Sequence, residues 1–251
     1  MNYKVTCVGG AGIFSIFMDL LIMNIYDLED AESFEIKLQW NEYNCPTNGF
    51  DFVFEQSHKE PFKHINGHYH QRISFRKKGV DLGAIEDFKD LDKIRNVCKV
   101  FKIKPEILSK VLKQKNMLGV HFRGGDMDIK HPQYGIFKIN DYLNKIDKIL
   151  SENEVSSIFI ASDNIEAANI IIDRYDNKVP VFYFTEFVRA NSLTENTEKI
   201  QIKNSSTPRF WQEAFIDMLS LAQCKYLLCR TSNFSSAAIA FSNTLTKIYR
   251  L

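Results

Sequence analysis

The chain has 251 residues, 45% of them hydrophobic and 25% charged, and its 32 basic and 31 acidic side chains leave a formal charge of +1. That places it among ordinary globular proteins with room for one large domain or two small ones. The near-zero charge gives no global field for nucleic acid, and no basic stripe interleaves with aromatics to track a phosphate backbone.

In chain order, residues 4–8 read as a short strand, and Gly9, Gly10, Ala11 and Gly12 as a turn. Residues 13–25 are apolar on nearly every face, as in a buried helix. The apolar run 11–26 is interrupted by Asp19 and Asn24 and falls short of the roughly 18 to 20 residues that span a bilayer. Its glycines, with no small-x-small site after it, argue against a secretory leader. Residues 33–40 alternate as a strand does, and 41–80 give no clear period. Residues 82–89 and 105–115 look helical, the second with Pro105 in its first turn. From residue 117 the pattern becomes regular. Strands are expected at 117–122, 157–161, 179–184, 225–229 and 246–249, and helices at 139–150, 166–175 and 211–222, with another starting at 237. The polar stretch 186–208 has no strong period and reads as a surface loop able to act as a lid. Alternating apolar strands and helices mean parallel sheets in an α/β fold. A less regular lobe is expected over 1–104 and a regular one over 105–251.

Five dispersed cysteines (Cys7, Cys45, Cys98, Cys224 and Cys229) form no C-x-x-C pair. They read as reduced thiols in a cytoplasmic protein.

The most informative stretch is Gly119-Val120-His121-Phe122-Arg123-Gly124-Gly125-Asp126. It puts a histidine, an arginine and an aspartate at the carboxyl end of a strand, where ligands bind in open α/β sheets. Arginine offers a permanently charged fork that matches two phosphate oxygens. The adjacent glycines let an anion approach the backbone. The competing reading is a polar turn with Arg123 in a surface salt bridge. Two further strand ends carry polar groups: Ser162, Asp163 and Asn164, then Thr231, Ser232, Asn233, Ser235 and Ser236. The last group opens a helix, so its serines either bind an anion with the free N–H groups or cap the helix.

With these residues in view, the chain resembles the fucosyltransferase superfamily, which includes bacterial α-1,2-fucosyltransferases, α-1,6 enzymes and protein O-fucosyltransferases. His121-x-Arg123-x-Gly125-Asp126 is similar to its first motif, and Ile158 to Asp163 to its second. The run from Asp217 to Ser235 is similar to its acidic helix, strand and serine turn, and Gly9 to Gly12 to its N-terminal glycine turn. There are departures. Gly124 stands where many relatives have a second arginine, and Ser236-Ala237 where the α-1,2 enzymes have two tryptophans.

The resemblance implies a GT-B enzyme, two Rossmann-like lobes with parallel sheets facing a central cleft. It implies inverting, metal-independent transfer of fucose from GDP-fucose to a glycan hydroxyl. Arg123 would hold the β-phosphate and stabilise the departing GDP, and His121 would position the nucleotide. Gly10, Gly12, Asp126, Ser232, Ser235 and Ser236 would line the donor site. Asp163 or Asp217 would accept hydrogen bonds from guanine or ribose. The alternative for Asp217 is a solvated helix position. Asp128 and His131 are the candidates for the base on the acceptor hydroxyl, each with an ordinary loop residue as its rival. No metal or other cofactor is expected beyond the donor substrate. Asp126-Met127-Asp128 is the weaker case for a divalent cation. His58, His64, His68 and His70 lack a completing ligand and do not make a metal cluster. The partners implied are a nucleotide sugar and a glycan, without nucleic acid. A lipid-linked acceptor would bring the protein transiently to the membrane. Two rival readings keep the fold: another nucleotide-sugar donor, or a non-catalytic nucleotide- or glycan-binding protein.

Overall fold

The computed structural model describes residues 2–8, 13–14, 17–18, 21, 32–39, 48–56, 62–68, 91–123, 138–191, 200, 204, 207–230 and 232–251. The chain divides into two compact units. The first comprises Met1–Lys110, Ser205–Ile216 and Thr231–Phe241, and the second Val111–Asn204, Asp217–Arg230 and Ser242–Leu251.

The first unit carries a three-stranded parallel sheet. Strand β1 (Asn2–Val8) lies between β2 (Ser33–Gln39) and β3 (Phe62–His68), with Val5 opposite Ile36 on one side and Ile65 on the other. Its core is built from aromatic rings. Phe17, fully buried, packs on Phe50, Phe54, Phe101, Phe215 and Phe241 at centroid distances of 5.2 to 6.3 Å. A short 3-10 turn, Gly49–Phe52, brings Phe50 edge-on to Trp211 at 5.4 Å. Gly49 has to be glycine there, because a Cβ would come within 2.0 Å of the indole ring. Helices α1 (Leu91–Cys98) and α2 (Pro105–Leu108) follow.

The second unit is a five-stranded parallel sheet. Its strands are β4 (Met117–Phe122), β5 (Ser157–Ser162), β6 (Val181–Phe182), β7 (Tyr226–Cys229) and β8 (Lys247–Arg250), in the order β6-β5-β4-β7-β8. Both faces of the three central strands are buried, so they read as unbroken apolar runs. Helix α3 (Ile139–Glu152) turns Tyr142, Leu143, Ile146 and Ile149 into the core, and α4 (Ile165–Tyr175) turns in Ala167, Ala168, Ile171 and Tyr175. Helix α5 (Pro208–Ala222) begins in the first unit and ends in the second. Its Leu221 and the following Cys224 lie so close to β4 that a Cβ on Gly119 would sit 2.8 Å from each. Helix α6 (Asn233–Phe241) belongs to the first unit.

The strand and helix expectations from residue 117 onward hold in kind and order. Two details change. The helix expected over 105–115 stops at Leu108, and Asn116 takes a left-handed φ of 51° just before β4. The serine turn is shorter than expected, because α6 starts at Asn233 and takes in Ser235 and Ser236. The stretch 82–89 lies outside the described residues. Cys98 in the first unit and Cys224 in the second are buried, and burial pushes both thiols well above the usual cysteine range. Among the described residues, no helix is long and apolar enough to cross a membrane.

Candidate functional site

The second unit gathers charge at the carboxyl ends of its strands. His121 and Arg123 leave β4, and Ser162, Asp163 and Asn164 leave β5 directly beside them, since Phe122 pairs with Ser162. On the other side His121 pairs with Cys229, and Cys229 with Arg250. One rung of the sheet thus runs from a histidine through a cysteine to an arginine. Arg250 donates to the Cys229 Sγ at 3.1 Å.

His121 is 6% exposed, and its carbonyl accepts from the Tyr142 hydroxyl at 3.3 Å. Burial, helped by the positive charges of Arg123 and Arg250, lowers its pKa from 6.5 to about 3. The imidazole is therefore neutral at physiological pH, with one nitrogen able to donate and the other to accept. Arg123 places its Nε 4.0 Å from Asp163 Oδ2, both side chains being partly exposed. This is a loose pairing at the strand end.

The β5 end is held from three directions. The Ser162 hydroxyl accepts from the Asn164 N–H and donates to its carbonyl. The Asn164 side chain caps α4 by accepting from the Ala167 N–H at 2.9 Å. The following segment then returns to the same turn. Ala190 donates to the Asp163 carbonyl at 2.9 Å, and its own carbonyl accepts from the Ile165 N–H at 2.8 Å.

The residue before that clamp was not singled out from sequence. Arg189 bonds Asp217 at 2.5 Å, with side chains only 8% and 2% exposed. Its guanidinium lies 5.5 Å from the Tyr183 ring centroid and 5.2 Å from that of Phe187. Burial opposes the charge on Arg189, but the negative charge of Asp217, with Tyr183 and Asp163 behind it, outweighs burial and raises its pKa. Burial likewise raises the pKa of Tyr183. Asp217 is therefore not a solvated helix position but half of a buried ion pair. Arg189 sits in a polar stretch without periodicity, so no local signal marks it. Arg250 becomes visible only when the last strand is aligned with its neighbour.

His121, Arg123, Asp163 and Asp217 are thus brought together in the second unit. Ser232, Ser235 and Ser236 fall in the first unit. There Ser232 and Ser235 close a reciprocal capping box: each backbone N–H donates to the other's hydroxyl at 3.1 Å. Capping is therefore a role these serines visibly perform. Ser236 is buried one position further along α6. Gly10, Gly12, Asp126, Asp128 and His131 lie outside the described residues. Among the described residues, no three His, Cys, Asp or Glu side chains come together as a metal site.

No protein-family model matches the chain, and no curated protein sequence matches it. Solved structures do. The fucosyltransferase NodZ from Bradyrhizobium matches with a TM-score of 0.52 at 15% identity, over 95% of this chain and 93% of that one. POFUT1 in complex with GDP-fucose matches with 0.55 at 10% identity, over 99% and 97%. A variant of Arabidopsis thaliana FUT1 in complex with GDP matches with 0.50 at 11% identity, over 100% and 71%. At such identities the likeness establishes the fold: the chain shares the α/β architecture of these proteins, the GT-B type.

Proposed function

We propose that the chain is an inverting, metal-independent glycosyltransferase that moves fucose from GDP-fucose to a glycan hydroxyl. Three observations support the reading: the shared fold, the GDP-fucose carried by the NodZ and POFUT1 structures, and the residues at the end of β4. The observation that carries it is Arg123, loosely paired with Asp163 at adjacent strand ends beside a buried, neutral His121.

In this proposal Arg123 binds the β-phosphate and neutralises the charge that develops as GDP leaves. A preorganised cation in that position is worth several kcal/mol in the transition state. Neutral His121 adds a hydrogen bond to the nucleotide without competing for the anion. Asp163 keeps the guanidinium at the strand end. Asp126 is proposed as a donor-binding residue, and Asp128 or His131 as the base that takes the proton from the acceptor hydroxyl as the new glycosidic bond forms. Ser232, Ser235, Ser236, Gly10 and Gly12 are proposed as further donor-binding residues. The proposed setting is cytoplasmic, with the protein meeting a lipid-linked acceptor at the membrane surface.

Calorimetric titration of wild type and Arg123→Ala with GDP, GDP-fucose, GDP-mannose and UDP-sugars, with and without EDTA, tests this. The expected result is GDP and GDP-fucose binding that survives EDTA and falls by at least about a hundredfold in the variant, the size of a lost charged phosphate contact. Binding of UDP-sugars in preference, or binding that EDTA abolishes, overturns it.

A further inference from the structure

Residues 99–110 lie within the first unit, and they carry Lys99, Lys102, Lys104 and Lys110 against the single acid Glu106. Their backbone settles which way the middle two lysines face. The chain is extended there. Ile103 bridges to Phe54 in antiparallel fashion, the Glu55 N–H donates to the Lys102 carbonyl at 2.7 Å, and the Lys104 N–H donates to the Val53 carbonyl at 2.9 Å. In an extended chain alternate side chains share a side. Phe101 is buried, with its ring 5.2 Å from Phe17 and 5.7 Å from Phe54. The ring core therefore takes the side of Phe101 and Ile103, and Lys102 and Lys104 face away from it.

Helix α2 continues that outer face. The Leu108 N–H donates to the Lys104 carbonyl at 3.2 Å, which puts Leu108 one helical turn beyond Lys104 on the same side. Ile107 is buried beside it, whereas Leu108 is 42% exposed, the one large apolar side chain exposed among the described residues. An exposed leucine is ordinary by itself. This one stands over two ammonium groups, with Lys99 and Lys110, both exposed, at the ends of the segment.

The composition of the face selects its partner. Single-stranded nucleic acid stacks on exposed aromatic rings, and the only ring in this segment, Phe101, is buried. Specific protein interfaces favour Tyr, Trp and Arg and are depleted in Lys. A bilayer with anionic headgroups suits both parts: a diffuse negative layer for strongly hydrated ammonium groups, and an apolar boundary for the leucine.

We infer that the outer face of residues 99–110 docks on an anionic lipid bilayer, with Leu108 inserted at the headgroup boundary and Lys102 and Lys104 on the lipid phosphates. The inference rests on the proposed encounter with a lipid-linked acceptor, for which it names the surface.

The test is flotation of the full chain with vesicles of phosphatidylcholine alone and of phosphatidylcholine mixed with phosphatidylglycerol. The expected result is binding to the mixed vesicles only, lost in 1 M salt, where screening sets in at about 3 Å. Lys102→Gln with Lys104→Gln weakens it roughly thirtyfold, about fivefold for each lysine near the surface. Leu108→Ser weakens it about twofold, the modest gain of a leucine entering a bilayer. Lys148→Gln with Lys178→Gln removes the same charge from exposed positions of the second unit and leaves binding close to wild type. Absence of binding to the mixed vesicles overturns the inference, and so does an equal loss in the two lysine pairs, which is what net charge alone gives. Full affinity in Leu108→Ser, or tighter binding to polyglutamate or duplex DNA than to the mixed vesicles, overturns it in favour of another partner. GDP affinity, read on every variant, stays at the wild-type value if the fold is intact. If wild type does not bind GDP, the proposed function falls, while the vesicle comparison still judges this surface.

Discussion

The two units solve the problem of a core in opposite ways. The first assembles rings from remote parts of the chain around Phe17, drawing on Phe50, Phe54, Phe101, Phe215 and Phe241. The second stacks aliphatic rungs along its strands, Leu118, Val120, Ile158, Ile160 and Leu228, and closes them with α3 and α4. A core carried by strands puts its apolar weight in the middle of the sheet. The carboxyl ends are left for His121, Arg123, Asp163 and Arg250. The contrast teaches that the charged end of the second unit is affordable because the rungs beneath it are dry and regular.

The largest effect that sharpens this contrast is expected at Phe17. Phe17→Ala opens a cavity at the centre of the ring cluster and should destabilise the protein by about 3 to 5 kcal/mol in urea denaturation. An effect below about 1 kcal/mol would mean that the rings repack freely and that the first unit has no specific core. The next effect concerns pH. The folded pKa of His121 is lowered, so as pH falls below 6.5 the unfolded chain binds a proton that the native chain refuses. The stability associated with a neutral His121 is full above 6.5 and is lost progressively down to about 3. Comparing urea midpoints at neutral pH and near pH 4.5, His121→Gln should lose less stability than wild type. Equal acid losses would show that the imidazole is not excluded from protonation. The smallest effect is at the strand end. Asn164→Ala removes the α4 cap and should cost about 1 kcal/mol. Hydrogen exchange should then quicken at the Ala167 N–H, with the middle of β4 unaffected. Faster exchange throughout the sheet would tie the rungs to their rim more closely than the comparison allows.

Much of the second unit was legible in sequence, because its three central strands are nearly unbroken apolar runs and its helices keep an apolar stripe. Arg123 and Asp163 were legible for the same reason: each follows directly on such a run. The first unit was harder. Strand β3 interleaves Lys63, His64, Asn66 and Gly67 with its apolar residues, and α1 offers only Leu91, Ile94, Val97 and Cys98 between charges. Residues 109–115 looked helical by composition, yet the helix stops at Leu108 and Asn116 takes a left-handed φ just before β4. Arg189 and Arg250 owe their places to pairings between distant strands and loops, which no local period encodes. The same holds for the return of stretches 205–216 and 231–241 to the first unit.

The buried thiols offer a use of a different kind. Only a thiolate attacks an alkylating reagent, and in the native protein both Cys98 and Cys224 are shielded and held protonated. One belongs to each unit. With Cys7, Cys45 and Cys229 replaced by serine or alanine, each remaining thiol becomes a clock for the opening of its own unit. Labelling followed by mass spectrometry would time the two openings separately in a single tube, without a fluorophore.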